Sequence, residues 1–128
     1  MAQALLVTID FPAGLKVVEA LERAALPMKV ALWLYFDEYE EWRMAFASPR
    51  LDKAGGEAKA YRLVREALEA EGITVERTPT FIIMSMSDPF IKELRRLYAK
   101  NPDVEGKRLS TQMIGGRWVE DSILDRVR

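Results

Sequence analysis

Lys29-Val30-Ala31-Leu32-Trp33-Leu34-Tyr35-Phe36 is the stretch that decides the fold. Seven apolar residues follow one lysine, with Pro27 before them and the polar pair Asp37-Glu38 after. The run is too short for an isolated buried helix, so it predicts a strand buried on both faces. Residues 37–41 then form a polar turn, and residues 42–47 resume as a strand in which Arg43 alternates against Met44 and Phe46. The two runs predict a β-hairpin with a loop of about five residues, ended by Pro49.

The elements on either side follow from spacing and punctuation. Upstream, Leu15, Val18, Leu21 and Ala25 recur at helical intervals behind Asp10 and Pro12, and Pro27 closes this first helix. Residues 4–9 read equally as a short apolar strand or as the entry to that helix. Downstream, residues 51–56 read as a polar, glycine-containing loop. Residues 56–71 read as a second helix lined by Tyr61, Val64 and Leu68, with Gly72 as its C-terminal cap. Residues 73–76 predict a brief strand and residues 81–86 a stronger one. Asp88 and Pro89 form a helix-start signature. The third helix that follows carries Phe90, Ile91, Leu94, Leu97 and Tyr98 inward. Residues 107–114 and 117–123 flank Gly115-Gly116, a two-residue turn signal for a second hairpin. Residues 122–128 read either as its end or as a short helix.

The resulting order is (β)αββαβαββ. It predicts an α+β domain: a mainly antiparallel sheet of five or six strands with three amphipathic helices packed on one face. The 128 residues fit a single domain.

Composition removes several chemistries. The chain has no histidine and no cysteine. It therefore has no histidine general base, no cysteine nucleophile, no disulfide, and none of the ligands that make most zinc sites. Any catalysis must rest on carboxylates, lysine, arginine or hydroxyls. Nothing in the sequence calls for a metal or a cofactor. With 49% hydrophobic and 30% charged residues, the chain has enough for a core and a soluble surface. No apolar run reaches the ~20 residues of a membrane span. The cytoplasm is the expected location, since no cysteine argues for an oxidising compartment. The net charge of −1 gives no global attraction to nucleic acid. Residues 1–88 hold ten basic and fourteen acidic side chains, and residues 89–128 hold nine basic and six acidic.

Three constellations bear on function. Asp37, Glu38, Glu40 and Glu41 put four carboxylates in one turn, but without the regular spacing of a calcium loop, so they read first as a solvated tip. Lys92, Arg96 and Lys100 share one face of the third helix. With Arg95 beside them and Arg108 downstream, they are the candidate anion or nucleic-acid surface. Tyr39, Trp42 and Arg43, next to the first turn, are the candidate protein-binding corner, because Trp, Tyr and Arg dominate binding hot spots.

No catalytic set assembles from these residues. The sequence therefore points to a small domain acting through protein–protein interaction, self-association as a homodimer first. Nucleic-acid binding through the third helix comes second. A carboxylate- or metal-dependent enzyme comes third.

Overall fold

Alternation along the first strand sorts the molecule into two layers. A computed structural model of the chain describes residues 10–101 and 103–128. In β1 (Val30–Phe36), Ala31 and Trp33 join one buried cluster, while Val30, Leu32 and Leu34 join another. Successive side chains of a strand point to opposite faces, so β1 is covered on both sides, as its sequence predicts. It pairs antiparallel with β2 (Glu41–Ala47) from Val30↔Ala47 to Phe36↔Glu41 around a loop of residues 37–40.

The first cluster lies under α1 (Phe11–Arg23) and α3 (Glu57–Ala70), which contribute Val17, Val18, Leu21, Val64 and Leu68. The Asp10 carboxylate caps α1 by accepting from the Ala13 amide at 3.0 Å, the start signal read from sequence. Gly14 is a packing requirement within that helix. A Cβ there would stand 2.8 Å from Trp33 Nε1, so glycine lets α1 lie directly on the indole. Gly72, at φ 80°, follows α3 and ends it.

The second cluster lies under α4 (Pro89–Tyr98), which contributes Phe90, Ile91 and Leu94. Asp88 caps α4 through the Phe90 amide at 2.9 Å, with Pro89 at the first position, again as expected. Helices therefore cover both faces of the sheet, which corrects the expectation of three helices on one face. A strand apolar on both faces requires a layer on each, and the β1 residues that face α4 alternate with those that face α1 and α3. Leu97 is another correction. It is exposed at the edge of a stripe whose centre is Phe90, Ile91 and Leu94.

The main sheet has five strands in the order β3-β2-β1-β7-β4, with β3 (Phe81–Ile83), β4 (Arg108–Leu109) and β7 (Ser122–Val127). It is mixed: β3 runs parallel to β2, from Met44↔Phe81 to Phe46↔Ile83. The chain between them contains α3, and a parallel neighbour requires such a crossover. Residues 51–56 are not all loop, because Pro49–Asp52 form a short fourth helix, α2, capped by Ser48. Residues 73–76 do not make a strand, and Val75–Arg77 form a 3₁₀ turn. The strand expected over residues 81–86 stops at Ile83.

The glycine hairpin exists, but it leaves the main sheet. β5 (Gln112–Ile114) and β6 (Arg117–Val119) make a separate two-stranded ribbon around Gly115 and Gly116, both at positive φ. Gly115 also fixes where the ribbon sits. A Cβ there would come 2.3 Å from the Pro89 carbonyl oxygen, so the turn lies on the first residues of α4. Residues 122–127 are a strand, not a helix, and β7 pairs with β1 on one side and β4 on the other. The expectation for residues 4–9 lies outside the described residues. Among the described residues, no helix is long and apolar enough to cross a membrane.

Candidate interaction surface

The corner chosen from sequence divides between two faces. In β2, Trp42, Met44 and Phe46 share a parity and join the cluster under α1 and α3. Trp42 is 8% exposed, and its ring packs 5.5 Å from that of Tyr35. Arg43 has the opposite parity. Its guanidinium lies 4.3 Å from the Tyr39 ring centroid and 5.5 Å from that of Phe36, and it donates to Glu41 at 2.9 Å. The Glu41 carboxylate holds the guanidinium above its usual range, and partial burial works against that. Tyr39 is 56% exposed. Tyr39 and Arg43 therefore form one surface feature, with the arginine held between two rings and a carboxylate. Trp42 belongs to the core behind it.

A different tryptophan is exposed on the ribbon. Met113 and Trp118 are cross-strand partners on the ribbon, 60% and 57% exposed. Their strand neighbours Ile114 and Val119 point inward and are buried against α4 and β1 residues. The Trp118 indole is held in place by donating its N–H to Glu120 at 2.9 Å. A groove of about 310 Å³ joins ribbon to turn, lined by Leu34, Phe36, Asp37, Glu38, Arg117 and Trp118 among others. Burial pushes the Tyr35 phenol up, and the Asp37, Glu40 and Glu120 carboxylates push the same way. Sequence reading missed Trp118, although the signal was present. In a two-residue hairpin the residues flanking the turn alternate, so burial of Ile114 and Val119 turns Met113 and Trp118 outward.

The basic candidates are placed differently. Arg96 makes two hydrogen bonds to Glu93, at 2.9 and 2.5 Å. Glu93 raises the arginine's affinity for its proton, and Arg96 lowers the carboxyl in return. Arg95 donates to the main-chain oxygen of Arg128 at 2.7 Å. Arg108 is bound by the buried Asp121 carboxylate through two hydrogen bonds, at 3.0 and 2.5 Å. Lys92 and Lys100 are exposed and make no ion pair among the described residues. The five cations do not converge on one free patch, since three are engaged within the chain.

Carboxylates are likewise dispersed. Asp37, Glu38 and Glu40 stand in open solvent. Among the described residues, no group of three or more potential ligands lies close enough to hold a metal ion. The most perturbed acid is Asp125, 4% exposed on β7. Pairing with β1 slips there, from Ala31↔Arg126 to Leu32↔Leu124, so Asp125 is the extra residue of a β-bulge. Its carboxylate oxygens have no hydrogen-bond partner among the described residues. Burial pushes the carboxyl up to about 7, Glu105 adds to the effect, and Arg126 opposes it. Arg126 itself pairs with Glu22 at 2.7 Å.

Comparison with models of protein families, with curated proteins and with solved structures finds no match for this chain.

Proposed function

We propose that the protein acts as a single cytoplasmic domain that binds protein, in the first place a second copy of itself, through the corner formed by Tyr39, Arg43, Met113 and Trp118. One observation carries this reading: a tryptophan 57% exposed, whose ring is nevertheless fixed by Glu120. An exposed aromatic anchor already held in one orientation loses little entropy on docking, which is the property of a hot spot. The surroundings favour a second copy. The groove beside Trp118 carries Asp37, Glu38 and Glu120 together with Arg117, so both signs of charge are present on one patch. Such a patch is complementary to itself across a two-fold axis. A net charge of −1 leaves little long-range repulsion between copies.

The test is the mass in solution by sedimentation equilibrium, across protein concentration, at low and high salt, with and without short DNA and RNA. The reading predicts a concentration-dependent shift to twice the 14.6 kDa of one chain, insensitive to nucleic acid. Removing a hot-spot anchor with Trp118→Ala weakens the dimer by roughly 30-fold. A salt-sensitive complex with nucleic acid and no dimer would move the function to Lys92, Lys100 and the rest of the basic set.

A further inference from the structure

We propose that residues 103–107 form a pH-operated latch over the edge of β7, shut while the Asp125 carboxyl carries its proton and released when that proton leaves. Asp125 is the bulge residue, opposite the slip between Ala31 and Leu32 of β1. Both its oxygens are shut away from solvent, and neither has a hydrogen-bond partner among the described residues. The latch lies along β7 on the side away from β1. The Gly106 amide donates to the Leu124 carbonyl at 2.7 Å, and the Leu124 amide donates to the Lys107 carbonyl at 2.8 Å. Val104 is the buried plug of the segment, in the cluster under α4, whereas Asp103, Glu105, Gly106 and Lys107 are exposed. Each end is tied separately. The Asp103 amide donates to Asn101 Oδ1 at 2.9 Å, and Arg108 is held by the buried Asp121. Two hydrogen bonds and one apolar side chain therefore hold a segment that can swing between two fixed points.

The charges around Asp125 set the sign. A cavity of about 370 Å³ is lined by Asp125 together with Glu105 of the latch, Glu19 of α1, and Arg126 and Arg128. Arg126 is engaged by Glu22 of α1 at 2.7 Å, and Arg95 of α4 donates to the Arg128 main-chain oxygen. Lys107 stands over the Tyr98 ring of α4, and β1 brings no charge to the slip. Burial raises the carboxyl to about 7, Glu105 pushes the same way, and Arg126 opposes. With the latch open, water reaches Asp125 and Glu105 moves off, so the carboxyl falls back toward its ordinary 3.8. The closed state is then the one with the raised value. Its advantage falls as pH rises from about 4 to about 7 and is constant above. Opening frees the main-chain donor and acceptor of Leu124, which is the edge that strand addition uses.

The test is native-state amide exchange on the full-length ¹⁵N-labelled protein, from pH 5 to pH 8, in water and in urea below the unfolding transition. Rates are corrected for the intrinsic pH dependence of exchange. The expected opening constant of the Gly106 and Leu124 amides rises on the order of fifty-fold over that range, most of it below pH 7. It is insensitive to urea, because a local opening exposes little surface, whereas exchange in Val30–Phe36 follows urea. Asp125→Asn keeps the side chain neutral and flattens the pH dependence at Gly106 and Leu124. Should that variant lose its folded backbone spectrum, Glu105→Gln on the exposed latch replaces it. Removing that charge is expected to slow opening at pH 8 about two-fold. Gly106 and Leu124 amides that follow urea as β1 does would overturn the latch. So would opening that is flat with pH in the wild type, or that keeps its pH dependence in Asp125→Asn, or that stays as fast at pH 8 in Glu105→Gln.

Discussion

The two hairpins of this chain each carry a tryptophan near the turn, and the structure treats them oppositely. In β1–β2 the strands are covered on both sides, and Trp42 lies in the core. In β5–β6 only one side is covered, and Trp118 faces solvent. Proximity to a turn does not decide exposure. The number of layers over the strand does, and parity along the strand then assigns each side chain. The long hairpin serves as scaffold and the short ribbon as surface.

The sharpest way to break this comparison is to truncate both tryptophans. Trp42→Ala is expected to cost about 3–5 kcal/mol, as for a large buried aromatic. Trp118→Ala is expected to fall within about 0.5 kcal/mol, as for an exposed site. Urea unfolding at a protein concentration too low for association measures both. Equal losses would mean that the two hairpins are not different environments.

Next comes the attachment of the ribbon. Gly115→Ala sets a Cβ against the Pro89 carbonyl, a backbone atom that cannot rotate away. The positive φ at this position adds to the strain. A loss of about 1–3 kcal/mol is expected. Amide exchange should quicken in Gln112–Ile114 and Arg117–Val119 before it does in Val30–Phe36. A uniform change would show that the ribbon is part of the main sheet's cooperative unit.

A smaller effect extends the comparison to β7, the other neighbour of β1, where complete burial encloses an acid. The folded Asp125 carboxyl titrates at about 7 and the ordinary value is 3.8. Between those values the folded state holds the proton and the unfolded state has released it. Stability from this residue therefore falls as pH rises from about 4 to about 7, and is constant above. Asp125→Asn removes that slope. It is expected to gain roughly 1–2 kcal/mol at pH 8 relative to wild type, less than the full linkage because the amide is also buried without partners. Urea midpoints at pH 5 and pH 8 give the answer, and an unchanged slope would place the carboxyl in solvent.

Much of the scaffold was legible in the chain. The double-sided burial of β1, the caps Asp10 and Asp88, and the Gly115-Gly116 turn were all read from local pattern and match the structure. What was not legible depended on partners distant in sequence. β3 has only three residues, and nothing local marks it as parallel to β2. That α4 covers the face opposite α1 and α3 depends on crossover geometry, not on the helix's own stripe. In the candidate surface, the Arg43 guanidinium lies over the Tyr39 ring. The parity of Trp42 with Met44 and Phe46 already assigned it inward, against the pull of its position near the turn. The engagement of Arg95, Arg96 and Arg108 by internal partners was beyond sequence for Arg95 and Arg108, whose partners lie 33 and 13 residues away.

The central claim is that Trp118 is the anchor through which two copies meet. The most direct measurement is the ¹⁹F spectrum of the 5-fluorotryptophan-labelled protein across a wide range of protein concentration. The account predicts that the Trp118 resonance moves with concentration and that the Trp33 and Trp42 resonances do not. A Trp118 resonance independent of concentration, in a protein that sediments as a monomer throughout, would contradict it.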